Sequence, residues 1–133
     1  MPDDLYYKML KHMKKIQSFA WLESRSIETS NKKIKPKLTP RYFGVLTLKI
    51  PNLFFQGSFL KFKKVNLKIP LHRIRNVNCL MGKLRIKFIN DHRIIENILF
   101  SIGEKEITVI PSPRAAEFWS KLILKAKEIL EKK

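Results

Sequence analysis

Lys61, Lys63 and Lys64 interleave with Phe59, Leu60 and Phe62 directly after Gly57-Ser58. Rings set among ammonium groups suit two anionic partners. On a membrane surface the rings enter the interface, and each basic residue contributes about 1 kcal/mol. On single-stranded nucleic acid the rings stack on bases while Lys meets phosphate. The plainer reading makes the aromatics core residues of longer strands, with the Lys as their outward neighbours. A second group repeats at period two. Lys83, Arg85 and Lys87 alternate with Leu84, Ile86 and Phe88, which predicts a strand with one basic and one buried face. Arg73 and Arg75 extend the basic row from the preceding run. A solvated face is the plain reading of this row; an anion-binding face is the functional one.

Catalysis lacks its usual residues. His12, His72 and His92 are scattered without metal-ligand spacing, and Asp91 is the one carboxylate between Thr29 and Ile95. Paired acids, a nucleophile motif and a Gly-rich phosphate loop are all missing. The chain is therefore expected not to be an enzyme, with no cofactor and no metal. Cys79 is alone, which excludes an internal disulfide, and its setting predicts a small buried residue.

The charge is +17 over 133 residues, and it is lopsided. Residues 38–93 carry twelve Lys or Arg against one acid, whereas residues 94–133 carry seven against six. Such an excess favours an anionic membrane surface, an acidic protein or nucleic acid. The plain alternative is the Lys-rich solvated surface of a heat-adapted protein, which abundant Lys, Ile and Glu suit. No run reaches the roughly 18–20 apolar residues of a membrane span. Lys8, Lys11, Lys14 and Lys15 interrupt any signal-peptide core, so a cytoplasmic protein is expected, peripheral at the inner membrane face if it meets lipid.

The elements that must position these residues read as follows. Leu5, Met9, Met13, Ile16 and Ala20 fall at steps of three or four, predicting a basic amphipathic helix over 3–23. Its stripe would pack on the domain, on a second copy, on a partner's groove or in a membrane interface with Trp21 at headgroup level. Residues 24–37 are polar and read as a linker. Seven short strands follow, at 42–50, 53–56, 65–69, 74–80, 83–88, 94–102 and 107–110, separated by Pro, Gly and Asn. The last element is a helix, with Ser112 as cap, Pro113 at its first position and a stripe through Ala115, Trp119, Leu122 and Ala126. The expected fold is α+β, mainly β. It is a seven-stranded antiparallel barrel or sandwich closed by the C-terminal helix, with an extra N-terminal helix. The expected organisation is a helix over 1–25, a basic linker over 26–37 and a folded domain over 38–133.

Several stretches resemble the pleckstrin-homology-like superfamily, of the GRAM and bacterial or archaeal type. They are Gly44-Val45-Leu46-Thr47-Leu48, Asn52-Leu53-Phe54-Phe55, Ile69-Pro70-Leu71-His72-Arg73-Ile74-Arg75-Asn76-Val77, Leu84-Arg85-Ile86 and Ala116-Glu117-Phe118-Trp119. The likeness covers about residues 42–130. It implies a core role for Trp119 in the closing helix, and Phe118, Gly44 and Pro70 join it as structural positions. It also implies a binding module. The first hairpin, Lys49-Ile50-Pro51-Asn52, lacks the basic pattern of the phosphoinositide-binding members. Docking on an anionic membrane surface or a protein partner is the function expected. The sites are Phe59, Lys61, Phe62, Lys63, Lys64, Arg73, Arg75, Lys83, Arg85 and Lys87. The alternatives are nucleic-acid binding by the same surface, or a self-associating structural domain.

Overall fold

A computed structural model describes residues 15–29, 32–33, 41–59, 63–103 and 112–131. The first element among them is β1 (Ile16–Thr29), and its side chains explain why it is a strand. Ile16, Ala20 and Leu22 are buried on one side, while Gln17, Phe19 and Trp21 lie on the other. That is period two, and it serves a strand whose backbone is paired along both edges, with β3 and with β8. Pairing on both sides overrides the helical spacing of the apolar residues.

The expected N-terminal helix over 3–23 is thus corrected: residues 16–23 are strand, and residues 1–14 lie outside the described residues. The expected linker is corrected as well. Residues 24–29 continue β1, and β2 (Lys32–Lys33) pairs back onto Glu28 and Thr29. Among the described residues the sheet therefore begins at Ile16, ahead of the expected boundary at residue 38.

The remaining strands are β3 (Tyr42–Lys49), β4 (Asn52–Phe59), β5 (Lys63–Pro70), β6 (Ile74–Leu80), β7 (Lys83–Ile89) and β8 (Ile95–Ile102). A 3-10 turn at Leu71–Arg73 joins β5 to β6. The main sheet is antiparallel, ordered β5-β4-β3-β1-β8-β7-β6, so seven strands form one path with β1 at its centre. The expected strand over 107–110 lies outside the described residues. The expected barrel closure does not form among the described residues, because β5 and β6 end the order without pairing.

The sheet is nonetheless curled. Strands three places apart in a flat sheet sit about 14 Å apart. Phe55 of β4 and Phe100 of β8 stand in that relation, yet their ring centres are 5.2 Å apart. The inner faces of the two halves therefore meet, and Leu46, Leu53, Phe55, Ile86, Ile98 and Phe100 form a dry core between them. Gly44 permits part of this. A Cβ there would lie 1.9 Å from the Gln56 carbonyl oxygen, so β3 approaches β4 more closely than any side chain allows.

Helix α1 (Pro113–Glu131) covers the inner side of β6, β7 and β8. Ala116, Trp119, Leu122, Ile123 and Ala126 form its buried stripe, at helical spacing. Ser112 caps it: the Ala115 amide donates to Ser112 Oγ at 3.2 Å. Trp119 is buried and Phe118 packs half-buried beside it. Pro70 ends β5 with extended backbone that feeds the 3-10 turn.

Candidate anion-docking surface

The basic row of β7 has the geometry its alternation predicts. Leu84, Ile86 and Phe88 are buried, so Lys83, Arg85 and Lys87 project from the outer face. Their cross-strand partners on β6 are Leu80, Asn78 and Asn76. On β8, Leu99 and Asn97 lie opposite Arg85 and Lys87. Arg85 Nε donates to Asn78 Oδ1 at 3.0 Å, which fixes the guanidinium without neutralising it. Neutral amides thus flank two of the three cations.

Lys83 has an acidic neighbour, and a bulge puts it there. β1 shifts register between Leu22 and Ser24, so Glu23 is an extra residue without a cross-strand partner on β8. A bulge re-aims its side chain. Glu23 accepts two hydrogen bonds from Arg41 and one of 2.5 Å from Ser101 Oγ, and Lys83 Nζ lies 3.5 Å away. Burial alone would raise the Glu23 pKa. The bonds from Ser101 and Arg41 and the charges of Arg41 and Lys83 outweigh burial and hold it below the ordinary carboxylate value. Arg41 also sits 4.6 Å from the centre of the Trp21 ring, and Trp21 leans on Phe43. This cluster joins β1, β3, β7 and β8 on the outer face. Glu23, Arg41 and Ser101 carry no signal in the sequence once residues 3–23 are read as helix.

The other expected site residues are dispersed. Lys63 and Lys64 begin β5, exposed, at the opposite end of the strand order from β6. Because the two halves meet by their inner faces, the outer faces of β5 and β7 point apart. Phe59 is no loop tip: it ends β4, pairs with Lys63 and meets Tyr42 edge-on. Residues 57–59 and 63–64 are therefore strand, and Leu60, Lys61 and Phe62 lie outside the described residues. Arg73 pairs with Asp91 in the β7–β8 turn. Arg75 is the extra residue of a second bulge, between Ile74 and Asn76, and is exposed.

The tip between β6 and β7 is absent from the sequence reading. Met81 is 92% exposed and Leu80 43%. Met81 and Gly82 both have positive φ, at 52° and 76°, as a two-residue hairpin turn requires. The Gly82 stop is visible in the sequence; the exposure of the two residues before it is not. Cys79 is a correction too: it is exposed, not buried. Partial burial, then the Glu117 carboxylate, push its thiol pKa up, while Lys121 opposes them.

A separate open cleft of about 330 Å³ lies between the start of β1, Gly103 and the first turns of α1, lined by Ile16, Ser18, Arg114, Phe118 and Trp119 among others. Among the described residues no three His, Cys, Asp or Glu gather as a metal site. No described helix is long and apolar enough to cross a membrane. No family model matches this chain, and no curated protein matches it in sequence.

Proposed function

We propose that this chain is a non-enzymatic binding module that docks on an anionic surface through the outer face of the β6–β7 hairpin. One observation carries the reading: Lys83, Arg85 and Lys87 stand in one row on the outer face of β7, on a molecule of charge +17, with Arg85 held by a neutral amide and Lys83 beside Glu23. Two other cationic regions among the described residues have plainer explanations. On α1, Lys121, Lys125 and Lys127 pair with Glu117, Glu128 and Glu131 at 3.4, 3.5 and 3.7 Å. On β5, Lys63, Lys64 and Lys68 lie on an edge strand, where Lys discourages pairing with other chains.

The pleckstrin-homology-like resemblance belongs to this proposal. Seven antiparallel strands followed by a helix with a buried Trp119 support it; the open sheet departs from it. The non-enzymatic reading draws support from two carboxylates of the described residues, both of them engaged. Glu23 is held by Arg41 and Ser101, and Glu96 by Arg25 at 2.5 Å and Asn90 at 2.9 Å. A location at the inner membrane face is part of the same reading.

Flotation with vesicles of phosphatidylcholine alone, and of phosphatidylcholine with phosphatidylserine, tests it across a salt series. The expected result is binding to the anionic vesicles only, lost as salt rises. Equal binding to both, or binding indifferent to salt, would contradict it. Failure on vesicles with salt-sensitive binding to a short oligonucleotide would move the partner to nucleic acid.

A further inference from the structure

The end of the β6–β7 hairpin is built against the ordinary rules for a solvated turn. A two-residue turn with positive φ at both positions favours Asn-Gly or Asp-Gly, because a short polar side chain bonds locally. Here the first position is Met81, at φ 52°. Its side chain cannot hydrogen-bond to the turn as an Asn can, and it is 92% exposed. Leu80 beside it is 43% exposed. A backbone cost and a solvation cost thus fall on the same residue, which marks a position shaped by something outside the fold.

The tip also rests against the helix and has cations beside it, with Glu23 near Lys83 and Glu117 near Cys79 as the acids of the neighbourhood. A Cβ on Gly82 would lie 3.1 Å from Pro113 Cγ, so the turn rests against the start of α1. Exposed Arg114 follows Pro113, and Lys83 follows Gly82. The row Lys83-Arg85-Lys87 leads away from the tip along β7. Exposed apolar side chains beside cations match the layering of an anionic bilayer, with phosphates outside and acyl chains below. A nucleic acid would offer its phosphates to the cations but no apolar layer to Met81.

We propose that the partner is an anionic lipid bilayer, and that Leu80 and Met81 enter its interfacial region while Lys83, Arg85 and Arg114 meet the headgroups. This rests on the docking role proposed for β7 and adds the partner and the inserted residues.

The test is Met81→Asn, because Asn suits the left-handed backbone better than Met. The variant is expected to keep or raise the thermal midpoint and to hold a short oligonucleotide or heparin as the parent does. Its affinity for phosphatidylserine-containing vesicles falls by about tenfold, the worth of one partly buried apolar side chain. Met81→Trp is expected to keep vesicle affinity and to add emission that shifts to the blue with vesicles, over the background of Trp21 and Trp119. Unchanged vesicle affinity in Met81→Asn, or no blue shift in Met81→Trp, overturns the insertion and leaves the docking reading intact. Parent protein that binds heparin but ignores anionic vesicles overturns the bilayer as partner. Parent protein that binds neither overturns the docking reading and this inference together.

Discussion

Glu23 shows how one residue organises the outer face. It is the extra residue of a bulge in β1, and Arg41, Ser101 and Lys83 converge on it. Its pKa is lowered in the folded chain, so the unfolded chain takes up this proton first as pH falls. The group therefore contributes its full stability above the ordinary carboxylate value and loses it as pH drops through the lowered one. Glu23→Gln is expected to cost about 1 kcal/mol at neutral pH, and thermal unfolding of both proteins in acid is expected to close that gap. A gap that persists in acid would assign the effect to packing. Gly44 is the converse case, a residue defined by what it lacks. Its Cβ would meet backbone atoms of β4, so Gly44→Ala is expected to destabilise by about 3 kcal/mol in a denaturant titration. Gly44 is marked as structural from the sequence alone. Glu23 is not, because a bulge is a property of two strands together.

At the scale of elements, local pattern and tertiary pairing agree for most of the chain and part at its start. The alternation of Leu84, Ile86 and Phe88 and the stripe through Trp119, Leu122 and Ala126 lead to β7 and α1 as expected. Ile16 and Ala20 fit a helix as well as a strand, being four apart, and nothing local decides between them. β3 and β8 decide, because both need the backbone of β1. A fragment of residues 38–133, taken from the sequence as a folded domain, loses the central strand. It is expected to lack a cooperative thermal transition, whereas the intact chain has one; circular dichroism separates them. Trp119→Ala is expected to cost about 3–5 kcal/mol, since the ring is 2% exposed and fills the core beneath α1. A loss below about 1 kcal/mol would mean that the helix closes the core without it.

At the scale of the molecule, the charge of +17 is legible in the sequence and its direction is not. Curling of the sheet decides direction: it brings Phe55 to Phe100 and sends the outer faces of β5 and β7 apart. Cations close in sequence thus divide between faces, and the exposed Leu80-Met81 tip joins only the β7 group. Two double variants measure whether one face docks. Arg85→Gln with Lys87→Gln alters the outer face of β7, and Lys64→Gln with Lys68→Gln removes the same charge from β5. Titration of phosphatidylserine-containing vesicles against both, beside the parent, is the most direct test. The β7 variant is expected to bind about 30-fold more weakly, at about 1 kcal/mol per basic residue, and the β5 variant nearly as the parent does. Equal losses in the two variants would contradict a docking face and leave only diffuse charge.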